Sequence, residues 1–337
     1  MRLAFPLLWL VSWVYRLGVA LRRGWYAVGL GRIQRVSGIR VISVGNITVG
    51  GSGKTPLVAY IINVLLARGH KPAVVSRGYG GSARQGRYLA DEPEMLQRCF
   101  PGVLVIISPD RGRGIQQARA AGCTHVILDD AFQNLSVHKD IDIVCVNSRE
   151  AFGNEQLLPA GPLRLPLAWL RRANCIVLTH QGADREGLRK LKACVQTIHR
   201  RALLCTAHYS ARQVRLCGKP GPLAKTVLQG QDVAVLCGIA FPERLALTVE
   251  QLGGRVIERF YFPDHYWFQK SDLGRVAAVC RQRNIAHVVT TAKDEARLCA
   301  AGDILDASRA FVVIDVALQM EEHESEFIDK LSGLSAV

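Results

Sequence analysis

The stretch Val41 to Pro56, VISVGNITVGGSGKTP, restricts the possible folds of this chain more than any other. Val41 to Val44 have the apolar, β-branched character of a parallel strand covered on both faces. Gly50, Gly51 and Gly53 then open a turn, and LVAYIINVLLARG after Pro56 carries apolar residues at helical spacing. A strand, a glycine loop and a helix start together wrap backbone N–H groups around a phosphate. In that arrangement Thr48, Val49, Gly50, Gly51, Ser52, Gly53, Lys54, Thr55 and Pro56 form the nucleotide loop. Lys54 is then placed to reach the β- and γ-phosphates, and the Thr55 hydroxyl to meet Mg²⁺. Thr48 occupies the place of the first glycine in the strict G-x4-G-K-[ST] pattern, so a glycine-rich turn with a chance Lys-Thr is the bland competing reading.

The strands that follow alternate with helices, which predicts a parallel, helix-covered sheet. KPAVVSRGYGG (71–81) is a strand ending in a glycine turn that carries Arg77 and Tyr79. Asp91-Glu92-Pro93 opens a helix, and as a bare pattern it is only an N-cap with proline in the first turn. VLVIISPDR (103–111) ends in Asp110-Arg111, and HVILDDAFQN (125–134) ends its apolar run on Asp129-Asp130. A hydrophobic strand closing on acidic residues downstream of a P-loop has the form of a Walker B strand, whose carboxylate holds Mg²⁺. Further strands are expected at 140–148 and 175–180, with a proline- and glycine-rich loop between them. The texture changes near Cys205. The fold expected is a P-loop NTPase-type α/β sheet with helices on both faces over 31–205, and a smaller α/β domain over 206–337 closing on it.

Residues 3 to 15, LAFPLLWLVSWVY, are nearly all apolar, and Arg16, Arg22 and Arg23 follow. A bilayer crossing needs about 20 apolar residues, and no small-residue cleavage site follows. Leu and aromatic residues beside arginines suit a membrane-associated helix over 1–30, lying in the interface or making a single span; a buried helix is the alternative. The net charge of +15 calls for an anionic partner. Nucleic acid is disfavoured, because basic and aromatic residues mix only in that N-terminal segment, which is too apolar. Ten cysteines form no C-x-x-C pair, and several lie in apolar runs, so they read as small core residues in a reducing compartment.

Two P-loop classes are excluded. There is no N/T-K-x-D guanine-reading element, and Thr291-Ala292-Lys293-Asp294 has the wrong spacing for one. Val49 stands where partition-type ATPases carry their second lysine.

As a set, VGNITVGGSGKTP (44–56), SRGYGG (76–81), DEP (91–93), SPDR (108–111), DDAFQ (129–133), LPAGPLR (158–164), FPDH (262–265) and TAKDEAR (291–297) resemble the tetraacyldisaccharide 4′-kinase family. The resemblance covers nearly the whole chain. It implies transfer of the γ-phosphoryl of ATP to the 4′-hydroxyl of a tetraacylated glucosamine disaccharide 1-phosphate, in lipid A biosynthesis at the cytoplasmic face of the inner membrane. It implies that Asp91 is the base, with His265 as its partner and Lys54 on the phosphates. Asp129 and Asp130 become the metal pair with Thr55, and Arg77, Tyr79, Arg111, Gln133 and Arg164 line the phosphate and headgroup cleft. Four positions depart from the family's pattern: Ala90 and Ala131 replace glycines, Asn134 a histidine and Leu165 a glutamate. The rival function is a soluble P-loop ATPase serving as an assembly factor or metallochaperone. The nine histidines are scattered and form no metal store.

Overall fold

The computed structural model describes residues 4–50, 53–78, 83–84, 87–88, 91–180, 185–219, 221–264, 266–301 and 310–333. In chain order the first elements are α1 (Ala4–Ala27), β1 (Arg40–Gly45), α2 (Lys54–Ala67), β2 (Pro72–Ser76), β3 (Ala83–Arg84), β4 (Arg87–Tyr88), α3 (Asp91–Cys99) and β5 (Leu104–Ile107). Then come α4 (Arg111–Ala120), β6 (His125–Asp129), β7 (Ile141–Asn147), β8 (Cys175–His180), α5 (Arg185–Ile198) and β9 (Leu203–Leu216). The remainder is β10 (Asp232–Cys237), α6 (Glu243–Gln251), β11 (Arg255–Tyr261), α7 (Lys270–Gln282), β12 (His287–Thr291), α8 (Ala292–Ala301), β13 (Ala310–Glu322) and α9 (Glu324–Ser332).

Two compact units form, and neither is continuous in sequence. The first is Met1–Tyr79, Leu96–Tyr209 and Leu318–Val337; the second is Gly80–Met95 and Ser210–Ala317. The chain-order expectation of 31–205 and 206–337 therefore differs at two places. Leu318–Val337 joins the first unit, and Gly80–Met95 joins the second.

In the first unit the strands run β9-β8-β7-β1-β6-β2-β5, all parallel to their neighbours. β2, β6, β7 and β8 are buried along their whole length, which explains why they read as apolar runs and not as alternating patterns. β1 lies between β6 and β7, with Val44 beside both Asp129 and Ile143. Its carboxyl end is thus where neighbouring connections diverge, the position at which open α/β sheets take ligands. α2 packs Leu57, Val58, Ile61, Ile62 and Leu65 into the core at helical spacing. Each such side chain favours folding by about 1.5–3 kcal/mol before chain entropy is subtracted. Gly69, at φ 75°, ends α2 by letting the His70 N–H reach the Leu65 carbonyl at 2.9 Å.

α1 docks on this unit by one side. Ser12 Oγ donates to Leu157 O at 2.8 Å, Tyr15 Oη donates to Arg164 O at 3.0 Å, and Tyr15 and Val19 pack on the core. Trp9, Leu10, Trp13, Val14, Leu17, Leu21 and Trp25 stay exposed. Among the described residues no helix is long and apolar enough to cross a membrane.

The second unit orders its strands β11-β10-β12-β13-β9. β10 is parallel to β11 and β12, and β12 to β13. β9 meets β13 the other way round: the Cys217 N–H donates to Phe311 O, while Arg215 lies opposite Asp315. The alternating texture after Cys205 reflects this antiparallel pairing. One face buries Val235, Val249 and Val312, the other Leu236, Val276 and Val288.

Candidate active site

The nucleotide loop is tied to the LPAGPLR segment at its start. Val49 N–H donates to Pro162 O at 2.8 Å, Arg164 N–H donates to Ile47 O at 2.7 Å, and Thr48 bridges Leu163. These bonds fix the chain as it leaves β1. At the far end Gly53 adopts φ 87° as the N-cap of α2, and a Cβ there would overlap the Tyr209 hydroxyl. Only glycine fits that turn without strain.

Side-chain charge gathers on the next strand over. Asp130 follows β6 in the left-handed region at φ 48°, a conformation uncommon for a residue other than glycine. Arg164 forks onto it, Nη1 to Oδ2 and Nη2 to Oδ1, both at 3.0 Å. Lys54 Nζ stands 3.6 Å from Asp130 Oδ1. The same guanidinium donates from Nε to Thr48 O at 3.0 Å and from Nη2 to Asn46 Oδ1. Arg164 thus links the loop after β1 to the residue after β6. Burial alone would raise the Asp130 carboxyl, but the charges of Lys54 and Arg164 and their hydrogen bonds outweigh it and hold it below its ordinary value. Two cations around one anion leave a net positive charge beside the helix N-terminus, which attracts phosphate.

Behind this front lies a buried support. Asp129 is buried at the end of β6, and Arg111 Nη2 donates to its carbonyl at 2.9 Å while Nη1 donates to Ser108 O at 2.9 Å. Arg111 is itself buried, so it is a positioning group for the Asp129 backbone and does not line an open cleft. Lys139 Nζ donates to Ala131 O at 2.7 Å and Phe132 O at 3.3 Å, and pairs with Asp142 at 3.1 Å. Arg172 Nη2 adds a second bond to Asp142 at 3.2 Å. Burial pushes the Lys139 ammonium down to about 8, with Asp142 opposing and Arg172 assisting.

Of the expected site residues, Thr48, Lys54, Asp130 and Arg164 are brought into one bonded set, with Asp129 and Arg111 directly behind it. Arg77 is exposed at the carboxyl end of β2, and Gln133 buries an amide nitrogen that has no partner among the described residues. Asp91 begins α3, but its side chain lies outside the described residues, as do Gly51, Ser52, Tyr79, Ala90 and His265. Asp91 falls within Gly80–Met95, so it and Ser210–Ala317, the segment that includes position 265, belong to one compact unit.

The substituted positions have local explanations. Ala131 lies outside the left-handed region and donates its N–H to Val44 O at 3.1 Å, so a methyl is accommodated there. Asn134 accepts from the Ser136 N–H at 2.9 Å and closes its own turn. Leu165 is buried in the apolar core with Trp169 and Leu170. Within TAKDEAR, Lys293 stands 3.9 Å from Asp264 of FPDH, while Asp294 and Arg297 are internal architecture. Asp294 and Arg297 are fully buried and paired at 2.8 Å; Asp294 accepts from Gly238 N–H at 3.1 Å and Arg297 donates to Gly238 O and Tyr266 O. Sequence reasoning missed Asn46, Lys139, Asp142, Arg172 and Tyr209. For Asn46 a signal existed, because it sits inside the loop motif itself.

The family model of tetraacyldisaccharide-1-P 4′-kinases matches residues 4–333. The chain belongs to this family. A tetraacyldisaccharide 4′-kinase of Anaeromyxobacter sp. (strain Fw109-5) is 36% identical over 344 residues, covering 96% of this chain and 90% of that protein. One from Geobacter metallireducens is 33% identical over 337 residues, covering 95% and 94%. The crystal structure of LpxK from Aquifex aeolicus in complex with ATP superposes with a TM-score of 0.73 at 24% identity, over 96% of this chain and 97% of that one. Kinase family membership and the P-loop α/β fold are therefore established, and the metallochaperone reading is not favoured.

Proposed function

We propose that this chain phosphorylates the 4′-hydroxyl of a tetraacylated glucosamine disaccharide 1-phosphate, using ATP, at a membrane surface in lipid A biosynthesis. The observation that carries the reading is the Lys54–Asp130–Arg164 set at the mouth of a P-loop, in a chain of the 4′-kinase family. Phosphoryl transfer needs positioning and charge neutralisation more than covalent participation of the protein. The backbone amides of 48–55 cradle the phosphates, and Lys54 neutralises the charge that spreads over the γ-phosphoryl oxygens. Arg164 keeps Asp130 ionised and holds the loop carbonyl of Thr48.

The oxygen donors at the site fit a hard cation completed by phosphate and water. Asp129 and Asp130, at the end of β6, would hold Mg²⁺ with the Thr55 hydroxyl, Asp130 being also engaged by Arg164 through both carboxylate oxygens. Mg²⁺ held there would neutralise charge on the transferred phosphoryl group. Asp91 accepts the proton of the sugar 4′-hydroxyl as the bond to phosphorus forms, and His265 orients that carboxylate. Arg77, Tyr79 and Gln133 supply polar contacts to the phosphates and headgroup.

The exposed apolar side of α1, with Arg16, Arg22 and Arg23 nearby, supports lodging in the cytoplasmic face of the inner membrane. An interfacial helix suits it better than a span, because it carries polar contacts to the first unit on its other side. The test is transfer of label from γ-labelled ATP to tetraacyldisaccharide 1-phosphate in detergent micelles. Labelled lipid with the wild type and none with Lys54→Ala is expected. ATP hydrolysis without labelled lipid would refute the acceptor assignment.

A further inference from the structure

Two cysteines that lie 82 residues apart in sequence meet in the second unit, where Cys217 Sγ and Cys299 Sγ are 3.7 Å apart. Cys217 follows the end of β9, and Cys299 occupies the last turns of α8. Their approach rests on polar contacts that fix both elements. Arg215 Nη2 donates to Glu295 Oε2 at 2.6 Å, and its Nε donates to Asp315 at 3.1 Å. Glu295 Oε1 also accepts the Gly218 N–H at 3.0 Å, and the Cys217 N–H donates to Phe311 O at 2.9 Å. Glu295 and Cys299 sit four residues apart on one helix, and Cys217 comes two residues after Arg215, one past the end of β9. The ion pair that joins strand to helix therefore also aims the two thiols at each other. Gly218, at φ 68°, turns the backbone away immediately afterwards.

We propose that Cys217 and Cys299 form a redox-labile thiol pair that a peroxide closes to a disulfide and a dithiol reopens. The exposed Cys299 reacts first. Its thiolate attacks one oxygen of hydrogen peroxide; an S–O bond forms, the O–O bond breaks, and the departing hydroxide takes up a proton to leave as water. Cys217 then attacks the sulfenic sulfur of Cys299. The S–S bond forms as the S–O bond breaks, and a second water leaves. In sum, two thiols are oxidised to one disulfide and one peroxide is reduced to two waters. Burial, reinforced by the adjacent Cys299, raises the Cys217 thiol above its ordinary value, so its attack relies on the proximity of the sulfenic sulfur, and its thiol proton leaves with the second water. On closure the sulfurs move from van der Waals contact to a bonding distance of about 2 Å. This pair departs from the reading of all ten cysteines as core residues, which Cys145, Cys175, Cys205, Cys237 and Cys280 satisfy by being buried.

The experiment exposes the full-length folded protein to a small excess of hydrogen peroxide, blocks remaining thiols by alkylation, and maps the peptides by mass spectrometry. Expected is one cross-linked peptide pair joining Cys217 to Cys299, lighter by two hydrogens and restored by dithiothreitol. Cys99→Ser should keep the cross-link, since Cys99 is the other exposed thiol. Cys217→Ser should lose it and leave a Cys299 sulfenic acid that dimedone traps. A wild type whose Cys299 is over-oxidised while Cys217 stays open to alkylation after unfolding overturns the proposal, as does a cross-link from either residue to a different cysteine. The mapping is independent of lipid phosphorylation, so it stands or falls separately from the kinase assignment.

Discussion

Replacing Arg164 by alanine removes four donated hydrogen bonds at once: two to Asp130 at 3.0 Å, one to Thr48 O at 3.0 Å and one to Asn46. A hydrogen bond to a charged group contributes about 1.5–3 kcal/mol net, and the lower end applies here because the Asp130 side chain is 36% exposed. Two such bonds give about 3 kcal/mol of lost positioning in the transition state. At 1.36 kcal/mol per decade this is about a hundredfold in kcat/KM. Lysine keeps a charge but not the fork or the Nε bond to the loop, so Arg164→Lys should recover about one of those two decades. The carboxyl of Asp130 also loses one of the two charges that hold it down, against burial, so the acid limb of the rate profile moves to higher pH in Arg164→Ala. The sign is that of a depressed carboxylate. The pairing contributes fully above the ordinary value of 3.8 and fades as pH falls through the lower folded one. Steady-state phosphoryl transfer in mixed micelles from pH 4 to 9 reads both effects, and urea unfolding separates them from lost stability. Arg164→Lys indistinguishable from wild type, with Arg164→Ala down a hundredfold, would show that a point charge suffices and that the fork reasoning fails.

Lys139→Met leaves Asp142 buried with one partner fewer, and loss of a buried pair costs about 3–5 kcal/mol in denaturant midpoint analysis. The wild-type stability should also rise with pH from about 8 towards the ordinary lysine value of 10.5, where the unfolded chain binds the extra proton; the variant should lack that rise. Asp294→Ala breaks a pair with no solvent exposure and should cost a similar about 3–5 kcal/mol, read in the same unfolding experiment. Gly53→Ala forces a methyl into a left-handed turn and onto Tyr209, so ATP affinity by equilibrium dialysis should drop at least about tenfold. Deleting residues 1–26 should release the protein from anionic vesicles in a flotation assay, and unchanged flotation would remove α1 from membrane binding.

The parts legible in the sequence are those whose pattern is local. β1, the glycine loop and α2 announce themselves because one strand, one turn and one amphipathic run are contiguous, and Asp129-Asp130 because they close an apolar run. Arg164 was reached through a motif, but its reason for being there was not legible: its partners Asn46 and Asp130 lie 118 and 34 residues away. Lys139 and Asp142 look like surface charge at three-residue spacing until β7 buries Asp142 under Arg172. The return of Leu318–Val337 to the first unit was invisible for a different cause: nothing in a strand's own sequence states which of two compact units each half will join. The motif TAKDEAR was legible as part of the resemblance, but the task of its Asp294 and Arg297, holding Gly238 and Tyr266 in place, was not.

The helix that faces outward with its tryptophans is fastened at Ser12 and Tyr15 to the carbonyls of Leu157, just before the segment that supplies the guanidinium, and Arg164, its last residue. Two hydrogen bonds across one helical turn leave little slack between them. If α1 floats in the headgroup layer, the phosphate-binding mouth rides at a set height above the acyl chains, like a tool clamped to a rail. A lipid headgroup then has to rise only as far as that fixed height, and a substrate whose sugar sits much deeper or shallower in the bilayer would be refused by altitude before any contact selects it.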